Sequence, residues 1–467
     1  MRILLKCPTR SRPEKVRKTL SKYHRFANRP ELIGVAISAD TDDDTMKDTT
    51  EIQKILSGFA WSRIFYSQNK TKIEACNANM NEIDYDWDIV VLVSDDMIPQ
   101  IKGYDDIIRN EFLAGFPDKN GILWPNDGAQ GQKLNTLCIY GRDFYKKQGF
   151  IYNPEYKSLF CDTELTDQCN NEYKSICRYI PYCIIRHEHP GTGFQQNMDK
   201  LYQKNQTYWS QDMFTYIRRK SYEYDWSVLI ATITGRENSL NSLLSSIREK
   251  VSRIAPDVRV EFVTYFDNRE TSIGNKRQWL LDHAKGRYMS FIDDDDDITD
   301  AYIEDFVETL RGGYHVMRLR GQISQYTFTH SVENTLTSYM ARGDVFVRPP
   351  NHLNPILTDV AKLFSFKDAI RGEDLEWTIR LAKSGFLKNE YRSDESRIHY
   401  IYNLGNRQMN EATIDYQRKT SYETMLQMVW TPGGAIDPAN HMGPQPQKSE
   451  GPRIPVLRLG RGGFVSV

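Results

Sequence analysis

The order of predicted elements occurs twice along the 467-residue chain, and this repetition constrains the fold more than any other feature. In each half, an apolar strand is followed by a helix, a second strand, and later an apolar strand that ends in acidic residues. Strands that alternate with helices through short connections predict a mainly parallel α/β sheet. Because self-similarity of this length indicates a repeated unit, we expect two α/β domains in tandem.

Matching positions in the two halves are separated by consistent distances along the sequence. The pairs are Asp40 with Asp267 (227 positions apart), Asp95 with Asp295 (200), Asp162 with Asp374 (212) and His187 with His399 (212). An order and a spacing are rarely reproduced together by chance. We therefore predict a first domain at residues 1–205, a connector at 206–225, a second domain at 226–430 and a Pro/Gly-rich C-terminal tail at 431–467.

The apolar strand at 288–292 leads into five consecutive aspartates, Asp293 to Asp297. Side chains of an extended strand alternate between its two faces, so Asp293 and Asp295 are predicted to face the same side. Hard oxygen ligands suit Mg²⁺, Mn²⁺ or Ca²⁺, and Mg²⁺ commonly shares its coordination between carboxylates and substrate phosphates. An acidic run is also typical of a solvated turn. This run ends an apolar strand, which favours a metal site.

Composition excludes some classes of protein. Basic and acidic residues nearly balance, 61 against 62, so no overall field favours nucleic acid or an anionic membrane. No apolar run of about 18 residues is present and the N-terminus lacks the apolar core of a signal peptide, so we expect a cytoplasmic protein without a transmembrane segment. The seven cysteines are odd in number and form no C-x-x-C pair, which predicts reduced thiols and no zinc site.

Several motifs stand together in the second half. They are T-x-T-x-R after the first strand, G-N-K-R-Q, A-K-G-R-Y-M-S-F-I followed by the acids, G-E-D-L-E-W, and a late histidine. The combination resembles family 2 glycosyltransferases of the GT-A fold, over about 200 residues in each half. The resemblance implies two tandem Rossmann-like GT-A domains, a nucleotide-sugar donor, and Mn²⁺ or Mg²⁺ held against the diphosphate of the donor.

The resemblance also implies roles for individual residues. Asp374 would be the catalytic base of the second domain, and Asp162 that of the first. The metal ligands would be Asp293, Asp295, Asp296 and His399 in the second domain, and Asp95, Asp96 and His187 in the first. The donor nucleotide would contact Asp267, Arg236, Lys276 and Arg277 in the second domain, and Asp40 and Arg10 in the first.

The same assignment follows in part from chemistry. A departing diphosphate needs positive charge, which a divalent ion supplies, and an acceptor hydroxyl needs a base to take its proton. Asp374 opens a predicted helix, where an aspartate is also a common cap. The matching Asp162 in the other half favours catalysis. His399 is more often a satisfied core residue than a ligand, and a solvated helix face is the alternative for Lys276 and Arg277.

The first half departs from the family pattern. Val93 stands at the place of the first acid of the D-x-D motif, Cys161 replaces the glutamate before Asp162, and Asn77 stands where the second half has Arg277. The first domain is therefore expected either to catalyse with fewer metal ligands or only to bind.

Three functions are consistent with these observations. The first is a soluble inverting glycosyltransferase that makes two successive transfers. The second is a chain whose first domain is a nucleotide- or acceptor-binding platform for the other. The third is a nucleotidyltransferase, which needs a Gly-rich basic loop that neither half clearly has. The acceptor hydroxyl is left open, on a glycan, a lipid-linked glycan, a protein or a hydroxylated base in DNA, and so is the oligomeric state.

Overall fold

The computed structural model describes residues 1–189, 199–334, 341–342, 345–403, 457–460 and 463–466. The chain divides into two compact units, Met1–Lys220 and Ser221–Val467, called the first and the second unit below. Each unit contains its own α/β sheet in which most neighbouring strands of the central part are parallel. The predicted α/β class with mainly parallel sheets is confirmed.

The first unit alternates strands with helices up to β4 and continues with mixed elements. Its strands are β1 (Ile3–Thr9), β2 (Ile33–Asp40), β3 (Trp61–Ser67), β4 (Ile89–Leu92), β5 (Met97–Pro99), β6 (Ile122–Pro125), β7 (Ile139–Gly141), β8 (Cys177–Ile180) and β9 (Ile185–His187). Its helices are α1 (Pro13–Phe26), α2 (Thr50–Leu56), α3 (Lys72–Asn77), α4 (Tyr104–Gly115), α5 (Arg142–Gln148), α6 (Cys161–Asn170), α7 (Lys200–Gln206) and α8 (Trp209–Arg219).

The sheet of the first unit has the strand order β3-β2-β1-β4-β7-β6-β8. Strand β2 is buried along its whole length, and β1 nearly so, because helices cover both faces of a parallel sheet. Helix α1 begins with Pro13, whose fixed φ suits the first helical position. It turns Val16, Leu20 and Tyr23 towards the sheet, at the spacing predicted from the sequence.

The second unit is larger. Its strands are β10 (Tyr224–Ile233), β11 (Val260–Asp267), β12 (Gly286–Phe291), β13 (Asp297–Ile298), β14 (Val316–Met317), β15 (Leu319–Ile323), β16 (Tyr326–His330), β17 (Ala341–Arg342), β18 (Val345–Arg348), β19 (Ile356–Leu357), β20 (Glu390–Tyr391), β21 (Tyr400–Tyr402), β22 (Leu457–Gly460) and β23 (Gly463–Ser466). Its helices are α9 (Glu237–Ile254), α10 (Ile273–His283), α11 (Asp300–Gly312), α12 (Thr358–Ala361) and α13 (Glu373–Ser384).

The main sheet of the second unit has the order β11-β10-β12-β19-β14-β20. This is the order β2-β1-β4-β7-β6-β8 of the first unit, without its edge strand β3. Trp226 is fully buried on β10 and lies against the rings of Tyr302 and Phe306 from α11, which fixes that helix on the sheet. The second unit also has a further sheet, with the order β13-β21-β15-β16-β18-β17. Its antiparallel pair β13–β21 corresponds to the separate pair β5–β9 of the first unit.

The segment expected to be a connector is partly helical. Most of its residues belong to α8, which is part of the first unit. Asp212 of α8 is fully buried and accepts hydrogen bonds from the backbone N–H groups of Lys157, Ser158 and Leu159, so the helix is fixed to this unit. Of the predicted tail at 431–467, only the antiparallel pair β22–β23 lies in the described residues.

No helix in the described ranges is long and apolar enough to cross a membrane. All seven cysteines lie in described parts of the first unit and are free thiols, five of them buried. This agrees with the prediction of reduced cysteines.

His330 on β16 predicts a pH dependence of stability. Its Nδ1 lies 3.1 Å from Oδ1 of Asn354, and burial lowers the pKa of His330 to about 3. An unfolded histidine has a pKa of about 6.5, so acidification protonates His330 in the unfolded state but not in the folded state. The free energy of unfolding therefore falls as the pH falls below about 6.5. Between about pH 7.5 and about pH 5, the free energy of unfolding should fall by about 2 kcal/mol more in the wild type than in His330→Gln. Urea denaturation at both pH values measures this difference, and equal losses would contradict it.

Candidate functional site

In the second unit, the acidic run forms a tight turn at the carboxyl end of β12. The N–H of Asp296 donates to the carbonyl of Asp293 over 3.1 Å, so the acids form a turn. The prediction that they continue the extended strand is therefore wrong. Their exposure still alternates. The side chains of Asp293 and Asp295 are 37% and 45% exposed, whereas Asp294 and Asp296 are buried. Asp293 and Asp295 therefore present their carboxylates to solvent from one turn.

The two buried acids are held by neighbouring side chains. The carboxylate of Asp294 accepts hydrogen bonds from Thr232 Oγ1 and from Arg236, both over 2.6 Å. Asp296 had been predicted as a metal ligand, but each of its oxygens already accepts a hydrogen bond, from the Tyr400 hydroxyl (2.7 Å) and from the N–H of Asn403 (2.8 Å). Removal from water and the charge of Asp293 raise the pKa of Asp296 to about 7. These two acids anchor the turn.

Asp374 lies near Asp293, one of the two outward-facing acids. Buried Arg277 forms an ion pair with Glu373, the first residue of α13, and lies 3.8 Å from Asp293, so it ties the start of α13 to the turn. Partial removal from water and the negative charges of the neighbouring acids, Asp374 among them, raise the pKa of Asp293. Gly372, with φ 76°, is the N-cap of α13, so Asp374 is the second helical residue and not the cap. Within the described residues, no hydrogen bond or ion pair engages its carboxylate.

Asp267 and Lys276, two predicted donor contacts, form an ion pair at the end of β11. Both side chains are buried, and the N–H groups of Arg269 and Thr271 also donate to the carboxylate of Asp267. Burial acts to raise the pKa of Asp267, but the ammonium of Lys276 and these N–H groups lower it overall. Arg236 was also predicted to contact the donor. Its guanidinium forms ion pairs with Asp294 and, over 3.0 Å, with Asp295.

His399 does not reach the acids as a metal ligand. Its Nδ1 accepts from the N–H of Arg320 over 2.9 Å, so Nε2 carries the proton and donates to Asp305 over 2.7 Å. Both ring nitrogens of this buried histidine are thus used within the fold. Tyr402, three residues after His399, lies near the acids instead. Burial has the largest effect on its pKa, the charges of Asp293 and Asp296 add to it, and together they raise the pKa of Tyr402 to about 12.

The first unit has a cleft at the corresponding edge of its sheet. Its volume, open mouth included, is about 1170 Å³. The lining contains every residue predicted for this unit, which are Arg10, Asp40, Asp95, Asp96, Asp162 and His187. The structure therefore brings together side chains that are up to 177 positions apart in the sequence, between Arg10 and His187. Parallel sheets bind ligands at this edge.

The acids of the first unit are engaged by protein groups. Arg12 donates to Asp95 over 2.9 Å and to Asp199 over 2.7 Å. Asp96 accepts from the hydroxyl of Tyr202 over 2.6 Å and from the hydroxyl of Ser94. Burial raises the pKa of Asp95 to about 6. Burial also acts to raise that of Asp96, but hydrogen bonds from His187, Ser94 and Tyr202 lower it overall.

The remaining predicted residues of the first unit also have defined positions. Arg10 forms ion pairs with Asp40 and Asp42 at the end of β2, and Asn69 donates to Asp40 over 3.0 Å. Asp162 is the second residue of α6, as Asp374 is of α13. The helix α6 begins after Phe160, a non-glycine residue with φ 62° that stands where the second unit has Gly372.

Backbone hydrogen bonds define which acids correspond in the two units. The N–H of Val93 donates to the carbonyl of Lys6, and the N–H of Ile292 donates to the carbonyl of Leu229 in the same way. Val93 thus matches Ile292 and not the first acid of the run. The corresponding pairs are Ser94 with Asp293, Asp95 with Asp294, and Asp96 with Asp295, a separation of 199 positions instead of the predicted 200.

Arg12 was missed by the sequence analysis and corresponds to Arg236. Both arginines are the N-cap residues of the helix after the first strand, α1 and α9, and both donate to the middle acid of the turn. The position directly before the helix, which the two arginines share, is visible only once the true helix starts are known. Tyr202, Tyr400 and Tyr402 were also missed, because only the folded chain brings them to the acids.

The second unit can supply part of a divalent metal site. Asp293 and Asp295 offer hard oxygen donors at the surface, and their mutual repulsion is compensated only in part by Arg277 and Arg236. Across the described residues, no three His, Cys, Asp or Glu side chains converge as a complete metal site. The residues therefore fit an ion held by two carboxylates and completed by water and phosphate oxygens.

No protein-family model matches the sequence, and no curated protein matches it. Among solved structures, the chain is similar to the mannosyltransferase PcManGT of Pyrobaculum calidifontis in complex with GDP-Man and Mn²⁺ (10% identity, 47% of this chain and 63% of that chain, TM-score 0.35). It is also similar to S. aureus TarS 1-349 in complex with UDP (15% identity, 43% of this chain and 70% of that chain, TM-score 0.31). A third similar structure is the catalytic domain of Drosophila β1,4-galactosyltransferase 7 in complex with xylobiose (12% identity, 44% of this chain and 79% of that chain, TM-score 0.27). The match spans less than two thirds of the mannosyltransferase. Similarities of this extent assign no activity.

Proposed function

We propose that the chain is a glycosyltransferase that takes a sugar from a nucleotide-sugar donor, with a reaction centre in the second unit. The observation that carries the proposal is the position of Asp374. Its carboxylate, which no group in the described residues engages, lies near enough to Asp293 for its charge to act on that acid, at the carboxyl edge of parallel strands where such sheets bind ligands. A base next to a centre that can neutralise a diphosphate is the arrangement that sugar transfer requires.

Asp374 acts as the base in this proposal. A carboxylate within hydrogen-bond reach of the acceptor hydroxyl takes its proton as the hydroxyl attacks the anomeric carbon. Asp374 is the second residue of α13, so its carboxylate lies at the positive end of the helix dipole. The ion pair of Arg277 with Glu373 holds the start of α13, and so fixes Asp374 relative to the turn. A single displacement of this kind inverts the configuration of the sugar.

The surrounding residues bind the donor and hold the acids. A divalent ion at Asp293 and Asp295, Mn²⁺ or Mg²⁺, would supply positive charge to the diphosphate. Arg236 and Thr232 fix Asp294, so the turn keeps its outward carboxylates in place. The nucleoside of the donor would lie at the end of β11, beside the buried ion pair of Asp267 and Lys276.

We further propose that the two units are tandem copies, and that the first unit contributes a second transfer with Asp162 as its base. Asp162 lines the cleft of the first unit at the helical position that Asp374 has in the second. A second candidate role, binding without catalysis, is favoured by the engagement of Asp95 and Asp96 by Arg12 and Tyr202. The acceptor in either case bears a hydroxyl, on a glycan or on a hydroxylated base in DNA.

A screen of donors by thermal unfolding tests the proposal. A ligand that binds only the folded state at about 100 times its Kd stabilises it by about 2.7 kcal/mol. UDP- and GDP-sugars are screened with Mn²⁺ and with EDTA, and at least one donor is expected to raise Tm in Mn²⁺ more than in EDTA. The nucleosides without phosphate are the matched controls. If no nucleotide sugar raises Tm in either buffer, the proposed function is wrong.

A further inference from the structure

The two units differ in the balance of charge at their acidic turns. Among the described residues, carboxylates outnumber the cations beside the second unit's turn. The carboxylates are Asp293, Asp294, Asp295, Asp296, Glu373 and Asp374, and the adjacent cations are Arg236 and Arg277. Both arginines are already paired with these acids. The second unit therefore has negative charge left over for a metal ion.

In the first unit, the excess of carboxylates is smaller. Ser94 replaces the outward-facing Asp293, which removes one carboxylate from the turn. The side chain of Arg12 is 9% exposed and donates to Asp95 while its guanidinium stacks 4.2 Å above the ring of Tyr202. The hydroxyl of that tyrosine occupies one oxygen of Asp96, and Ser94 occupies the other. A divalent ion would have to compete with these donors for the two acids.

Three lysines lie on the wall of the same cleft. Lys70, Lys72 and Lys204 line it, and none forms an ion pair within the described part of the chain, although the charges of Asp162 and Asp96 act on Lys72. Lys204 donates only to the carbonyl of Lys70, over 3.3 Å. The Nε of Arg12 is buried and has no hydrogen-bond partner among the described residues. The cleft is therefore provided with positive charge for an anion.

We infer that the first unit binds the diphosphate of a nucleotide through the lysines of its cleft and without a divalent metal, whereas the second unit requires one. The inference rests on the proposed function, because it concerns the same class of donor. It departs from the expectation that Asp95, Asp96 and His187 hold a metal. Their side chains form the internal network that holds the acidic turn, in which Arg12 is paired with Asp95 and Asp199, and the lysines provide positive charge for the diphosphate.

Counting bound manganese in the full chain tests the inference. Free Mn²⁺ is measured by electron paramagnetic resonance at saturating UDP, and separately at saturating GDP. We expect one bound ion per chain, lost in Asp293→Asn/Asp295→Asn and retained in Asp95→Asn/Asp96→Asn. Two ions in the wild type, with one lost in Asp95→Asn/Asp96→Asn, would overturn the inference.

A second measurement uses exposed residues, whose substitution leaves folding intact. Binding of UDP or GDP in EDTA is expected to weaken by about 100-fold or more in Lys72→Gln/Lys204→Gln, because two charged hydrogen bonds to the diphosphate are lost. Lys18→Gln, on the exposed side of α1, is the control. Complete loss of nucleotide binding in EDTA, or binding that the double variant leaves unchanged, would refute the inference alone. If neither UDP nor GDP binds in either buffer, the proposed function fails together with it.

Discussion

Asp374→Asn is expected to slow sugar transfer by the second unit by about 10²- to 10⁴-fold, the usual cost of losing a general base. Asparagine keeps the shape of the side chain and cannot take a proton. Because Gly372 and not Asp374 caps α13, the substitution should leave Tm and donor affinity nearly unchanged. Turnover, Tm and donor affinity are measured on the same preparation. Asp257→Asn, at an exposed site away from the turn, is the control and should match the wild type.

The corresponding variant in the first unit separates the two reactions. If both units catalyse, Asp162→Asn abolishes only the other transfer, because the two sets of residues are distinct. An Asp374→Asn protein that melts early but turns over normally would make Asp374 a structural residue. Unaltered two-step transfer in Asp162→Asn would reduce the first unit to a binding role.

Asp293→Asn and Asp295→Asn are each expected to remove the Mn²⁺-dependent part of donor binding, with a loss of affinity above about 100-fold. Changes to groups that only support a ligand typically cost about 10- to 100-fold, so removing a ligand costs more. The fold should survive, because the acids repel one another: the charges of neighbouring carboxylates contribute to the raised pKa of Asp293. Tm without metal is therefore expected to stay the same or rise. Calorimetric titration of the donor with and without Mn²⁺ measures the effect.

Asp297→Asn is the matched control for these variants. Asp297 belongs to the same acidic run but faces Lys250, 3.2 Å away, and Ser246 on α9. Its substitution should leave Mn²⁺-dependent binding intact. The metal assignment is wrong if the wild type binds its donor equally well in EDTA and Mn²⁺ throughout, or if Asp297→Asn weakens binding as much as Asp295→Asn.

The sequence predicted best where the signal is local. An apolar strand that ends in acids defines both β12 and its turn, and the helix that starts just before Asp374 gives that residue its position. The two helix starts, before Asp162 and before Asp374, lie 212 positions apart as predicted. Local patterns of this kind depend on neighbouring residues only.

Counting along the sequence failed where loops differ in length. The acids correspond at 199 positions and not at 200, so the first unit has a serine where Val93 had been expected to mark the missing acid. The spacing of 212 also led to His399, but the segment between α13 and β21 brings Tyr402 to the acids instead. One residue gained or lost in a loop changes which side chain lies at a site. Such a shift is seen only in the long-range contacts of the folded chain.

Partners from distant parts of the chain were not predictable. Tyr202 lies 106 positions from Asp96, and Tyr400 lies 104 positions from Asp296, yet each donates a hydrogen bond to its acid. Neither tyrosine belongs to a motif. Their positions follow from the strands and helices that carry them.

The release of nucleoside diphosphate from a nucleotide sugar by Asp162→Asn tests the central claim most directly, because the base of the first unit is then absent. The donor is the one that raises Tm most in Mn²⁺. The account predicts that release stops in EDTA, resumes when Mn²⁺ is restored, and is about 10²- to 10⁴-fold slower in Asp162→Asn/Asp374→Asn. Release at the same rate in the double variant, or release that EDTA does not affect, would contradict it.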